Sequence, residues 1–528
     1  MRVAIVFICG MSEPVDYLVL GSGLSALSFS ALMAKQGKSV KILEAHEFFG
    51  GYGHTFPAGE YQFNAQLHYV ISCGAGDIVH TFLKKLGLAE QVTFNRLNAD
   101  GYDRVFCGDQ KLFIPYGYDN LRRNMQAVCP AATAQIKAFI DILIDFNKAS
   151  QAFPRHLSQA HEVLAELPSY LRLFKYRAAT LQQVFDACQL PKILQTLVAG
   201  QLIDYMLPPK DLSFLAWAAL FNAYGKGAYY PTKHFNHVFD SIIDSIRANQ
   251  GQLIPNQRVV GFITAQSTVL GVHTQGVDPA TGICSGPQQA HYGRQVICNF
   301  DPKAAAHMIG MQKFSRRLQR QLDYDYSYSS FVLYGIVKDI DLAQHGFGDW
   351  NIWHCQPDHN QAFADMYDNA DYSKPYFAMN CRSLHTRDRS NCPTDGTQGF
   401  QICTVANYGY WMALKLRSTK AYNRKKREVL DHLLDAVEQH YVPGIRKHLV
   451  LKMAGSPTTN ERYVNSPNGG SYGVNLTPRN FSFFRKLTAD TSLENFHFCS
   501  AAAGVGGFGG TIMTGVQLYE SLTKDYLD

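Results

Sequence analysis

No interior apolar run in this chain is long enough to cross a bilayer. The longest, FLAWAALFNAY from Phe214 to Tyr224, falls well short of the roughly 20 residues a spanning helix needs. The chain therefore reads as cytoplasmic, either soluble or lying on a membrane surface. Its first ten residues, MRVAIVFICG, carry one Arg and an apolar stretch, but no small-residue cleavage site follows before the strand expected near Asp16. They read as a non-structural start, with Met11 as the initiator. The twelve cysteines contain no C-x-x-C pair, so they read as reduced, mostly buried thiols. The WHCQPDH cluster (His354, Cys355, His359) lacks a second matched pair, and no metal site is expected. No Lys/Arg block is dense enough to argue for nucleic acid. The net charge of +6 suits an anionic cofactor as well as an anionic membrane. Internal repeats and low-complexity segments are absent.

What is there points to a globular protein, with 46% hydrophobic and 17% charged residues. A length of 528 residues exceeds one ordinary core and predicts two or three interwoven lobes. The stretch DYLVLGSG begins with four consecutive apolar residues, Tyr17 to Leu20, as a buried parallel strand requires. Gly21, Ser22, Gly23, Leu24, Ser25 and Ala26 then spell G-x-G-x-x-A. Gly21 permits the tight turn, Gly23 the close approach of a pyrophosphate, and Ala26 close packing of helix on strand. A helix is expected from about Ser25 to Gln36, with Gly37 as its C-cap. A second strand, SVKILE, ends at Glu44, placed to accept both hydroxyls of a ribose, with Ala45 after it. A glycine-rich turn in some other βαβ unit is the alternative.

After Glu44 come Gly50-Gly51 and His54-Thr55-Phe56, a glycine pair that NAD-binding dehydrogenases do not need. Here the chain resembles the FAD-dependent enzymes of the phytoene desaturase type. These include carotenoid isomerases and retinol saturases, within the larger amine-oxidase-like flavoprotein group. The resemblance implies a Gly-Gly loop lying along FAD. GGYGHTF followed by YQFNAQLHYV is most similar to the retinol saturase branch, with Phe63, His68 and Tyr69 also matching. Asn64 and Gln66 stand where that pattern has Asp and Gly. Val259 aligns with a strand residue that touches adenine, and VICNFDP (Val296 to Pro302) resembles the next nucleotide-domain strand and turn. The family's Tyr-Pro-x-Gly-Gly reads Tyr230-Pro231-Thr232-Lys233-His234 here, which is expected to crowd or charge that corner. SPTTNERYVNSPNGGSYG (Ser456 to Gly473) also matches the branch; an ordinary structural loop is its alternative. In the last segment, Phe496 to Ser500 reads as a short strand. A glycine-rich turn then carries Gly506, Gly507, Phe508 and Gly510, and a helix from about Thr511 would turn its N-terminus toward the flavin. Ala501 to Ala503 replace the polar residue relatives place before this turn, so contacts there would be made by backbone.

The expected architecture is α/β. A Rossmann-type FAD-binding domain is assembled from residues 12–110, 231–315 and 456–528. It is interleaved with a helical region at 111–230 and a mixed-sheet substrate domain at 316–455. The segment YLRLFKYRAATLQQVF mixes Leu171, Leu173, Phe174 and Tyr176 with Arg172, Lys175 and Arg177. It reads as a membrane-surface helix or as an ordinary packed one.

Function follows from the resemblance: an FAD-dependent oxidoreductase that saturates, isomerises or desaturates a C=C bond of an apolar polyene or unsaturated lipid. A proton donor or acceptor is then needed near the ring, and His68, Tyr69, Tyr463 and Tyr472 are candidates. Only one dinucleotide fingerprint is evident, so no dedicated NAD(P)H site is expected. The electron partner stays open, as do a flavin amine oxidase and a non-catalytic FAD-binding protein.

Overall fold

The computed structural model describes residues 13–151, 167–481 and 487–527. The apolar start and Met11 lie outside them. Two seven-stranded sheets organise these residues. In the first sheet, β1 (Val15–Leu20) lies between β2 (Val40–Leu43) and the long strand Cys284–Cys298, parallel to both. Gln252–Ile254 extends one edge in parallel, and Phe496–Phe498 pairs with Cys284–Cys298 on the other side. Gln257–Ala265 and Thr268–Val277 add an antiparallel meander. Leu18, Val19 and Leu20 are fully buried: Val19 joins the cluster of α1, while Leu18 and Leu20 join Val269 and Val272 of the meander and Ala305 and Ala306.

The helix α1 (Leu24–Lys35) is buried along almost its whole length. It packs against His234–Ala248 and the C-terminal helix, Phe508–Thr523. Small residues permit the second contact: a Cβ on Gly515 would stand 2.4 Å from the Ser25 carbonyl oxygen. The C-terminal helix begins at Phe508, earlier than the expected Thr511. Gly507 takes φ 79° and turns the chain directly into it.

The second sheet has the strand order Leu449–Gly455, Ser329–Lys338, Thr397–Ala406, Phe377–Cys381, Asn351–His354, Asp103–Cys107, Gln110–Ile114. Its neighbours are antiparallel except for Asn351–His354 and Asp103–Cys107. This corrects one expected boundary. Asp103–Cys107 falls before residue 110, yet it joins the second sheet. Strand alternation shows that a strand exists, not which sheet takes it. Helices Tyr118–Val128, Thr133–Gln151, Leu167–Phe174, Leu181–Ala187, Lys192–Val198 and Phe214–Lys226 fill the stretch between the lobes.

The WHCQPDH histidines have structural partners. His354 shares a hydrogen bond with Tyr441 and stacks on Phe377, and the His359 ring bonds the Thr196 carbonyl.

Candidate functional site

The site starts at the β1–α1 turn. Gly21 N–H donates to the Leu43 carbonyl, and Gly23 caps α1 without a side chain. The first-turn N–H groups, at Leu24, Ser25 and Ala26, therefore have no capping oxygen, an arrangement that attracts an anion. The structure adds a residue the motif does not reveal. Asn299 Oδ1 accepts from Gly23 N–H at 2.7 Å, and a Cβ on Gly23 would lie 2.6 Å from that oxygen. Close approach at Gly23 thus accommodates Asn299, and not only a pyrophosphate. The Asn299 amide donates to Ser25 Oγ at 2.9 Å and to the Cys499 carbonyl, joining the turn to the C-terminal segment.

Glu44 sits just beyond β2. Its Oε2 accepts from Ser22 N–H and Oγ–H at 2.8 and 2.6 Å, and its Oε1 from His46 N–H at 2.8 Å. Burial raises its carboxyl above the ordinary value, against the pull of these hydrogen bonds. Glu44 N–H continues the strand by donating to Ile254, and its carbonyl accepts from Gln257 N–H. Ala45 lines a cavity here with Asn256 and Arg258, whose Oδ1 and Nε are buried without partners; Val259 follows Arg258 on the strand Gln257–Ala265 but is not among the lining residues.

The glycine pair folds back onto the motif. Gly50 N–H donates to the Ser22 carbonyl at 3.1 Å, and a Cβ on Gly51 would touch Gly23 Cα at 3.4 Å. Gly50 takes φ 112°, which a side chain would strain. The His54 ring donates from Nδ1 to the Gly51 carbonyl at 2.7 Å. Burial lowers His54 to about 4, so it is neutral at physiological pH. Thr55 Oγ1 is buried without a partner. Gly506, Gly507, Phe508, Gly510 and Thr511 approach from the C-terminal helix, whose N-cap also lacks a side-chain acceptor. A Cβ on Gly509 would lie 3.0 Å from the Ile71 carbonyl oxygen. The segment Ser456 to Gly473 is bound to this region: Tyr52 Oη donates to the Gly470 carbonyl at 2.9 Å.

The departures from the family pattern have local explanations. Asn64 Nδ2 donates to the Gly53 carbonyl at 2.8 Å, which an ionised Asp cannot do. Gln66 Nε2 reaches Ser330 Oγ at 3.0 Å, filling space a glycine would leave. His234 has φ 64°, the left-handed backbone that glycine adopts freely. Tyr230 Oη and the Asp388 carbonyl bond its two ring nitrogens, and burial lowers it to about 4. Lys233 is exposed, so it adds no buried charge to the filled corner.

The four proton-donor candidates do not share one place. Tyr463 packs edge-on to His46, 5.4 Å away, at the Glu44 end. His68, Tyr69 and Tyr472 surround Asp204, a buried acid that motif reading does not single out. Its one sequence signal is a lone carboxylate inside the apolar run LIDYML.

Comparison with known proteins agrees with this geometry. A family model described as an NAD(P)-binding Rossmann-like domain matches residues 19–86. An all-trans-retinol 13,14-reductase of Danio rerio is 24% identical over 95% of this chain and 84% of its own length. A chloroplastic prolycopene isomerase of Daucus carota is 31% identical over 17% of this chain and 14% of its own. Among solved structures, a cyclohexylamine oxidase from Brevibacterium oxydans IH-35A superimposes with a TM-score of 0.61 at 14% identity. That match covers 96% of this chain and 98% of the other. The dinucleotide motif, the paired sheets and these comparisons together show a chain similar to all-trans-retinol 13,14-reductases over most of its length, with the fold of the cyclohexylamine oxidase.

Proposed function

We propose that this protein is an FAD-dependent oxidoreductase acting on C=C bonds of an apolar polyene. The carrying observation is the convergence of four segments on one cradle: the uncapped start of α1, Glu44, the Gly50-Gly51 loop and the start of the C-terminal helix. FAD fits this set. The first turn of α1 would bind pyrophosphate, Glu44 a ribose, and the Asn256–Val259 corner the adenine. The Gly51 carbonyl holds His54 in place beside the loop, and Thr55 Oγ1 has capacity for one further bond. Gly506 to Thr511 would supply N–H groups to the ring, and the nucleotide lobe would comprise the three expected segments without the Asp103–Ile114 hairpin. When bound, the flavin ring supplies an electron pair as hydride. The chain's own work is to position the polyene, exclude water and move a proton.

Relatives named for retinol reduction and prolycopene isomerisation support a polyene as substrate. Among the described residues no helix is long and apolar enough to cross a membrane. Leu171 and Phe174 are 67% and 62% exposed beside Arg172, Lys175 and Arg177, which supports contact with a lipid surface. The test is to photoreduce the flavin-loaded protein anaerobically and mix it with retinoids or carotenoids, and in parallel to mix the oxidised protein anaerobically with amines. Reoxidation of the reduced flavin by polyenes supports the reading. Reduction of the oxidised flavin by amines, with no reoxidation by polyenes, shows an amine oxidase, and neither reaction shows a non-catalytic flavin protein.

A further inference from the structure

Asp204 is 3% exposed, within a short helical turn, Leu202–Asp204. Tyr69 Oη donates to its Oδ2 at 2.9 Å. His68 Nε2 stands 3.3 Å from its Oδ1, close enough for an ion pair. Both atoms are buried, and their contact is an ion pair with a weak, poorly aligned hydrogen bond. Asp204 thus holds the imidazole mainly by charge, and the poorly aligned Nε2–H is not locked to it. Burial makes such incompletely met capacity expensive.

The neighbouring acid differs. Asp103 accepts from the Gln201 and Asn351 amides, and Tyr69 Oη lies 3.2 Å from its Oδ2. Its hydrogen-bonding capacity is taken up, so it reads as scaffold. The groups facing His68 are Asp204, Asp103, Tyr69 and His385. Burial alone would lower His68, but the Asp204 charge, with help from the Gln66 backbone and Asp103, leaves it raised. Tyr69 and Tyr472 are poorer donors, because burial pushes both phenols well above their ordinary value.

The location suits proton delivery. His68 and Tyr69 lead directly into Val70–Ile71, and the Ile71 carbonyl abuts Gly509 in the first turn of the C-terminal helix. Tyr472 lies against Gly506 on the same turn.

We propose that His68 donates the proton that completes reduction of the polyene C=C bond, and that Asp204 is the residue that positions and charges it. This rests on the function proposed above. Bound reduced flavin would supply the electron pair, as hydride to one carbon. The His68 Nε2–H bond breaks, and its proton forms the C–H bond at the other carbon. The π bond is consumed, the substrate gains two electrons and two hydrogens, and the neutral imidazole regains its proton from solvent.

The test is an NMR pH titration of histidine-labelled full-length protein, with His68 assigned by its absence in His68→Gln. We expect His68 to titrate above the ordinary value of about 6.5. Asp204→Asn should lower the midpoint by a pH unit or more, and Asp204→Glu should restore most of it. A midpoint unmoved by Asp204→Asn overturns the pairing. With the flavin-loaded protein, His68→Gln should leave the flavin spectrum and photoreduction unchanged. It should slow reoxidation by all-trans-retinol about 100-fold. Equal rates overturn the donor role. A wild-type protein that binds no flavin instead refutes the proposed function, and the titration still decides the pair.

Discussion

Acidification from pH 7 to 4.5 should unfold the protein. Five imidazoles, those of His54, His234, His354, His359 and His385, are only 3–7% exposed. Burial pushes each from an ordinary 6.5 to about 4. A histidine lowered in this way adds stability above pH 6.5 and loses it as pH falls toward 4. A drop of that size corresponds to about 3 kcal/mol per group. Raised groups oppose the loss, Glu44, Asp103 and His68 among them. Asp103, raised by burial to about 6, contributes stability that is present on the acid side and lost as pH rises through 6. His68, raised by Asp204 against burial, contributes stability below pH 6.5 that is lost as pH rises through its folded value. The net loss near pH 4 is then on the order of 10 kcal/mol, comparable to the whole stability of a domain. Emission from the fully buried Trp217, Trp353 and Trp411 reports unfolding. Urea midpoints at pH 7, 6 and 5 should fall steadily, and the fold should be lost near pH 5 without urea. A urea midpoint constant from pH 7 to 4.5 would refute the reasoning.

Three substitutions probe the cradle. Asn299→Asp keeps the acceptor for Gly23 N–H but loses the donors to Ser25 and Cys499. It also adds a charge beside the N–H groups that would hold a phosphate; two unit charges roughly 6 Å apart repel by about 3 kcal/mol at an effective dielectric of about 20, so FAD affinity measured by fluorescence titration should fall about 100-fold. Gly53→Ala would place a Cβ 1.9 Å from Phe239 Cζ, so thermal denaturation should show a loss of about 1–3 kcal/mol, with partial recovery in combination with Phe239→Leu. Asn64→Asp removes the donor to the Gly53 carbonyl and should lower the urea-measured stability by about 1–3 kcal/mol at pH 7; an unchanged value would mean the Asn64 amide is not needed there.

The nucleotide half of the site was legible because its chemistry is local. Strand, glycines, helix and acid follow one another within thirty residues, and the first sheet places Gly23, Glu44 and Gly50 together. Asn299 was not legible, since its partners lie some 276 residues before it and 200 after it in the chain. Asp204 was hidden for the same reason: what brings it to His68 is packing between the helical layer and the second sheet. Sequence could not rank His68, Tyr69, Tyr463 and Tyr472, because proximity to a matched motif does not say which end of a long cofactor a side chain meets; the structure sets Tyr463 beside His46 and the other three near Asp204. The Asp103–Cys107 strand was not placed in the second sheet, because its parallel partner, Asn351–His354, lies far along the chain.

The central claim is that this cradle holds FAD. The most direct measurement is the visible spectrum and bound-flavin stoichiometry of the purified protein, before and after reconstitution, beside Glu44→Ala. The account predicts a yellow protein with one FAD per chain, released without breakdown on denaturation and retained poorly by Glu44→Ala. A colourless wild-type protein that cannot be reconstituted would contradict it.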